Sequence, residues 1–399
     1  MTFRPDTLAM TTVLALLAAL GPLSTDLYLP SLPSIARNFG VDTAASQFTL
    51  SAFLFGFAVG QIFYGPLSDR HGRRPVLLGG LAAFLVASIL CASATSIEML
   101  TVARFLQALG GSGPIVLARA MVRDLYEGPR AGRELARIGM IMGLVPAAAP
   151  IIGSFVETYA TWRLSFWVCV LFVLCLGTVV YFRMPETIRQ RSPDPVSIPG
   201  YIRSFRHLVV VPSYLVYVGL VSFAYAGLFC FISGSSFLLQ GSYGQSPIAF
   251  AFSFCTVVIG FIAGTIAAQR MVQRLGLDGV IAYGVACLAG GGLLMTLLVL
   301  VGTNSALEIS LPMALYAFGV GLTMPQGQAS ALMPFPERAG AAASLLGLTQ
   351  MTLAGLVGVT IGHSVRLGRL PLPLTIAIIG VIAFLLFHLS KEARKRGRA

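Results

Sequence analysis

Charge is what this chain has least of. Only 11% of its 399 residues are Asp, Glu, Lys or Arg, where a soluble domain carries about 25%, so a water-soluble fold of this length is excluded. Lysine is nearly missing: Lys391 and Lys395 are the only two. A nucleotide-binding loop of the Gly-Lys-Ser/Thr kind needs an internal lysine, which excludes that route to ATP hydrolysis. No His-Glu-x-x-His or Gly-x-Ser-x-Gly pattern occurs, so an intramembrane enzyme has no motif to stand on. The six cysteines (Cys91, Cys169, Cys175, Cys230, Cys255 and Cys287) all lie in apolar runs without paired or ligand-like spacing. They read as small packing residues, and neither a metal site nor a cofactor is expected.

Apolar residues dominate instead: 56% of the chain is hydrophobic and the mean hydropathy is +0.84. Runs long enough to cross a hydrocarbon core of about 30 Å fall at roughly 8–30, 46–67, 75–95, 98–118, 135–156, 164–183, 212–234, 247–268, 278–301, 308–330, 340–362 and 371–390. The expected fold is therefore all-α and membrane-integral, with twelve transmembrane helices. The first run is read as a retained span, not a cleaved leader, because losing it would leave an odd count and spoil the charge pattern described next.

With both termini on one side, that side holds 22 of the 27 basic residues, the opposite loops hold Arg37, Arg163, Arg366 and Arg369, and Arg104 lies within a span. Positive charge gathers on the cytoplasmic side, so both termini are expected in the cytoplasm. The net charge of +12 is accordingly a topology signal, and no nucleic-acid partner is expected. A polar, proline-bearing stretch divides the spans six and six. The expected organisation is a first bundle at 1–183, a linker at 184–207 and a second bundle with a basic tail at 208–399. Arg130-Ala131-Gly132 with Gly139, and Arg338-Ala339-Gly340 with Gly347, repeat one pattern before the fifth span of each half, a faint sign of duplication.

Between the second and third runs the chain reads GPLSDRHGRR over residues 65–74. Gly65, Asp69, Arg70, Gly72, Arg73 and Arg74 resemble, at matching spacing, the loop between spans 2 and 3 of major facilitator superfamily transporters. PLSTDLYLPSLP from Pro22 to Pro33, RFLQALGGSG from Arg104 to Gly113, and Pro146, Pro150 and Gly153 in span 5 are similar to the drug:proton antiporters of that superfamily. Within them the likeness is to the Bcr/CflA type, named for bicyclomycin and chloramphenicol resistance. It covers nearly all of the first half and is looser in the second, where the loop near Arg270 to Asp278 holds a degenerate copy of the basic motif. In span 5, Ser154 follows Gly153 where the family's motif ends in two glycines.

The resemblance implies two six-helix bundles and export of amphipathic drugs across the inner membrane by alternating access, with the proton and lipid bilayer as partners and a monomer as the working form. A transporter of an endogenous amino acid or sugar, or a receptor of the same fold, stays open as an alternative. It also implies that Asp69 faces the start of span 11 near Arg338 to Ala342, and that Arg73 pairs with Asp124. Both contacts would hold the outward-open state. Pro146, Pro150 and Gly153 would bend span 5 and seal the centre against proton leak. Glycine pairs Gly56/Gly60, Gly139/Gly143, Gly260/Gly264 and Gly358/Gly362 lie in the spans that meet across the two bundles of that fold, 2 with 11 and 5 with 8, and small residues four apart allow close approach.

Ionisable groups inside a span cost about 2.5 to 3.5 kcal/mol each on an insertion scale. Asp26 reads as the only carboxylate and Arg104 as the only base so placed, and the resemblance points to both as the proton-coupling pair. Asp26 suits a proton carrier because burial favours its neutral form; Arg104 keeps its charge and pairs with ionised Asp26 or orients substrate. The competing reading puts Asp26 some 24 Å along its helix, near the outer headgroups, where it would merely hold Tyr28 or a backbone amide; Arg104 would there snorkel or cap. For substrate, the candidates are Tyr28, Gln107, Phe223, Tyr225 and Gln350, within an aromatic and weakly polar cavity; the rings otherwise serve packing or face lipid.

Overall fold

The computed structural model describes residues 7–126, 128–188, 205–302, 304–335 and 339–396, with side chains described at all of these except 128–133, 135–136, 139–143, 339, 395 and 396. Among the described residues every regular element is a helix, the form that satisfies its own backbone hydrogen bonds in hydrocarbon. The first six spans begin with α1 (Leu8–Asp26), a 3-10 turn (Leu29–Ser31) and α2 (Leu32–Phe39). They continue through α3 (Thr43–His71), α4 (Arg73–Ala92), α5 (Ile97–Leu125), α6 (Gly128–Tyr159) and α7 (Trp162–Arg183). The second six are carried by α8 (Pro212–Ser236), α9 (Pro247–Val301), α10 (Leu307–Leu332), α11 (Ala339–Ser364) and α12 (Pro371–Leu389), and a short tail helix, α13 (Lys391–Arg396), follows.

Helix starts are written locally. Thr7, Ser96 and Ser246 accept from the amides of Met10, Met99 and Ala249, and proline opens α8, α9 and α12, where its missing N–H is no loss. Two spans are fused in α9. Its 55 residues would rise about 80 Å, far more than one membrane crossing, and Gly276 breaks it at φ 68°, ψ 177°. Cutting there gives the twelve spans expected. α6 begins at Gly128, deeper in the charged stretch than the apolar run at 135–156 indicated.

The chain forms two compact units. One comprises Met1–Ile35 and Ala52–Ser197; the other comprises Ala36–Ser51 and Ile198–Ala399. The second span thus divides between them at Ser51. Residues 189–204, most of the expected linker, lie outside the described residues, as do Arg338 and the side-chain positions of Gly139 and Gly143.

The glycines of span 11 meet span 2 as expected, while those of spans 2 and 8 depart from expectation. A Cβ on Gly56 would lie 2.3 Å from Phe105 O, and one on Gly60 would lie 2.1 Å from Ser112 Oγ, both on α5. In the second unit a Cβ on Gly260 or Gly264 would lie 2.2 Å from Ala314 O or Phe318 O of α10. These four glycines let helices touch inside their own unit: span 2 on span 4, and span 8 on span 10. The same device at the same place in each half is stronger evidence of duplication than the short repeat was. Gly358 and Gly362 face Ser51 Oγ and Gln47 Oε1 at 2.6 and 2.7 Å from the added Cβ, on the part of α3 that belongs to the second unit.

Candidate functional site

The first span does not end where its apolar run suggested. It continues through the 3-10 turn to Phe39, so Asp26 stands at an internal break, thirteen residues or about 20 Å of helical rise short of the span's end. Pro22 and the back-bonding hydroxyls of Ser24 and Thr25, both on Gly21 O at 2.9 and 3.2 Å, precede the break. Such hydroxyl bonds compete with the helix ladder and bend it. Asp26 is 5% exposed. That placement puts Asp26 inside the helix packing and short of the span's end.

Arg104, on α5, is fully buried. Its Nη1 donates to Ser24 O at 3.2 Å and to Gln107 Oε1 at 2.6 Å, and Gln107 Nε2 donates to Ser88 Oγ of α4 at 2.8 Å. Three rings surround the guanidinium, with centroids 4.3 Å (Phe53), 4.9 Å (Tyr28) and 5.8 Å (Phe166) from Cζ. Their faces stabilise a desolvated cation by up to about 2 kcal/mol each, which is how an arginine survives here without a carboxylate. Its Nε and Nη2 have no hydrogen-bond partner among the described residues. Neither the snorkelling nor the capping reading fits a guanidinium so enclosed.

Opposite this box, Gly153 of α6 backs onto the break: a Cβ there would lie 2.2 Å from Leu27 O. Pro150 is buried one turn earlier, and its carbonyl accepts from Ser154 Oγ at 2.7 Å. The span-5 motif therefore presses on the peptide next to Asp26 while Arg104 holds the carbonyl two residues before it. Asp26, Tyr28, Arg104, Gln107 and Gly153 converge on one broken helix. Phe223, Tyr225 and Gln350 belong to the second unit. There Phe223 O accepts from Tyr316 Oη at 3.4 Å, Tyr225 stacks on Phe229 at 6.4 Å, and Gln350 is buried. Neighbouring rings Phe229, Phe231, Phe250 and Phe254 are core packing.

Asp26 is not the only buried carboxylate, contrary to the sequence reading. Glu134 of α6 accepts from Thr11 Oγ1 at 2.6 Å and Arg137 Nη1 at 2.7 Å, and Glu308 of α10 accepts from Tyr243 Oη; both are under 9% exposed. Glu134 stands one residue before the apolar run at 135–156, and Glu308 is the first residue of the run at 308–330. The difference is in partners. Among the described residues Asp26 has no hydrogen-bond or ion-pair partner, Arg104 included.

The GPLSDRHGRR knot is built around Arg73, which is 8% exposed. Its Nε and Nη2 donate to the two oxygens of Asp124 at 2.8 and 3.4 Å, and its Nη1 to Ser68 Oγ at 2.7 Å and Asp69 Oδ1 at 2.5 Å. Gly72 makes the turn at φ 102°, a conformation that disfavours a side chain. Arg70 points outward, and Arg74 donates to Tyr181 O. Gly65 O accepts from Ser68 Oγ at 2.7 Å. A residue the sequence reading missed closes the knot: the Glu186 carboxylate accepts from the amides of Arg73 and Arg74 at 2.9 and 3.3 Å. Thr187 Oγ1 adds a bond to Asp124 at 3.1 Å.

The family model described as Major Facilitator Superfamily matches residues 14–359. This chain belongs to that superfamily. Facilitators are membrane transporters, not enzymes. Relatives include the bicyclomycin resistance protein homolog of Haemophilus influenzae, 30% identical over 392 residues that cover 96% of this chain and 97% of the relative. The chloramphenicol resistance protein of Pseudomonas aeruginosa is 32% identical, covering 87% and 81%; multidrug resistance protein D of Escherichia coli is 29% identical, covering 94% and 93%. Among solved structures, the facilitator fold of the D-xylose-proton symporter matches with a TM-score of 0.78 at 16% identity, over 95% of this chain and 96% of that one.

Proposed function

We propose that this transporter is a proton-coupled antiporter of the inner membrane, with both termini in the cytoplasm, that exports amphipathic drugs of the chloramphenicol or bicyclomycin kind. Asp26 carries the proton. The observation that supports this is a buried carboxylate with no partner among the described residues, at a broken helix, two residues after the carbonyl that a caged cation holds. A partnered carboxylate must tear bonds to change charge, as Glu134 and Glu308 would; Asp26 tears none. Arg104 sets the local field and keeps the break in shape through Ser24 O and Gln107. One proton moved through roughly 150 mV supplies about 3.5 kcal/mol, enough to drive a neutral substrate up a gradient of a few hundredfold. The Arg73 knot acts as a gate on the cytoplasmic side, holding α4, α5 and the segment after α7 together in one state and releasing them in the other.

The test is proton movement in energised everted vesicles carrying wild type or Asp26→Asn, challenged with chloramphenicol, bicyclomycin and an amino-acid panel. Collapse of the pH gradient on adding drug, absent in Asp26→Asn, is the expected result. A response to amino acids alone would transfer the assignment to a metabolite carrier, and drug-driven flux unchanged in the variant would move the proton site elsewhere.

A further inference from the structure

Among the described residues the second unit has, at the turn between its second and third spans, an ion pair in which anion and cation stand in exchanged places relative to the Arg73 knot. In the first unit a left-handed glycine, Gly72, presents a cation that binds an anion at the end of α5, while the segment after the sixth span brings a carboxylate, Glu186, back to the turn. In the second unit a left-handed glycine, Gly276, at φ 68°, is followed two residues later by an anion, Asp278. The segment after the twelfth span brings a cation, Arg394, back to it.

Arg394 is only 6% exposed although it lies in the tail helix α13. Its Nη1 donates to Asp278 Oδ2, its Nη2 to Phe387 O at 2.9 Å, and its Cζ sits 3.7 Å from the Phe387 ring centroid. The other Asp278 oxygen accepts from Tyr217 Oη of α8 at 2.7 Å. Three separate pieces of chain are tied at one carboxylate: α8 through Tyr217, the turn in α9, and the end of α12 with its tail. A surface-anchoring arginine has no reason to be buried, stacked and bonded twice.

We infer that Arg394, Asp278 and Tyr217 form a bolt of reversed polarity, the second unit's counterpart of the Arg73 knot, which holds this end of the unit shut and opens as the transporter switches. The tail is then a working part of the gate, and the degenerate loop is a complete motif whose charges have been traded.

Hydrogen–deuterium exchange on the full-length protein in lipid nanodiscs tests this. Peptides covering 212–220, 274–282 and 386–394 are followed in wild type, Asp278→Asn, Arg394→Gln and the exchanged pair Asp278→Arg with Arg394→Asp. Each single variant should speed exchange at these three places by about tenfold, leaving the opposite end of the unit, 237–245 and 305–312, unchanged. The exchanged pair should recover protection at 212–220 and 274–282 relative to the single variants, because the Tyr217 hydroxyl accepts from a guanidinium as readily as it donates to a carboxylate, while 386–394 recovers only in part because a carboxylate at position 394 cannot donate to Phe387 O. Exchange that stays at the wild-type rate in the single variants overturns the bolt. So does acceleration at both ends of the unit alike, which would mark general loosening, and so does an exchanged pair no better protected than either single variant.

Discussion

Arg104 shows how a buried cation can be held without touching a carboxylate. The guanidinium bridges Ser24 O and Gln107 Oε1 while lying among three rings, and only a planar, delocalised cation can do both. Lysine keeps the charge but not the fork or the stacking. Arg104→Lys should therefore express and fold yet lose about 10- to 100-fold in the initial rate of drug-driven proton flux, the factor that one or two charge-assisted hydrogen bonds carry. Rates within twofold of wild type would mean that charge alone matters. Gly153 makes the complementary case from space. An added Cβ 2.2 Å from Leu27 O meets backbone, which cannot swing aside, so Gly153→Ala must displace the break at Asp26. Overpacking of this kind costs about 1 to 3 kcal/mol; the expected signs are a lowered melting temperature in detergent and loss of proton coupling, and a variant with wild-type melting and coupling would refute the contact. Asp26 and Arg104 were legible as residues because charge in an apolar run stands out. Their separation was not legible, since nothing in a sequence says that a cation will be caged by Phe53 and Phe166 instead of paired.

At the scale of elements, α4 owes its start to residues on either side of a long gap. The turn at Gly72 was plain from its neighbours, and Arg73 and Asp124 follow the resemblance. Glu186 was hidden because it lies 113 positions beyond Arg73 in what reads as the start of a linker. A carboxylate on the first free amides of a helix is a cap, favoured also by the helix dipole. Glu186→Gln should lower stability by about 1 kcal/mol, seen as a shifted denaturation midpoint with the slope unchanged; an unmoved midpoint would show that the two amides are satisfied without it. Apolar runs alone located the helices but misjudged their ends. Span 1 reaches Phe39 and α6 begins at Gly128, since a buried helix tolerates polar residues on the faces its neighbours cover, as Thr11 and Glu134 cover one another.

For the whole molecule, the twelve spans were readable because hydrophobic length is dictated by the bilayer, whereas the grouping of Ala36–Ser51 with the second unit depends on contacts such as Gln47 Nε2 to Ser233 O at 2.7 Å, which no local pattern encodes. Orientation rests on charge asymmetry, and the structure sharpens that argument. Three of the four arginines on the sparse side are committed elsewhere: Arg163 to Ala94 O, Arg366 to Asp42 and Arg369 to Asn304. They earn their place by joining loops, so they should count little as topology signals. Removing them together, as Arg163→Gln, Arg366→Gln and Arg369→Gln, should leave a fluorescent reporter fused after Ala399 bright and an alkaline phosphatase fused there inactive, as in wild type, because the reporter side keeps its excess of positive charge. The same triple change should nonetheless lower the melting temperature, since an ion pair and several carbonyl contacts are lost. An active phosphatase in wild type would invert the topology. A reporter that switched sides only in the triple variant would show that these arginines, paired as they are, still direct insertion.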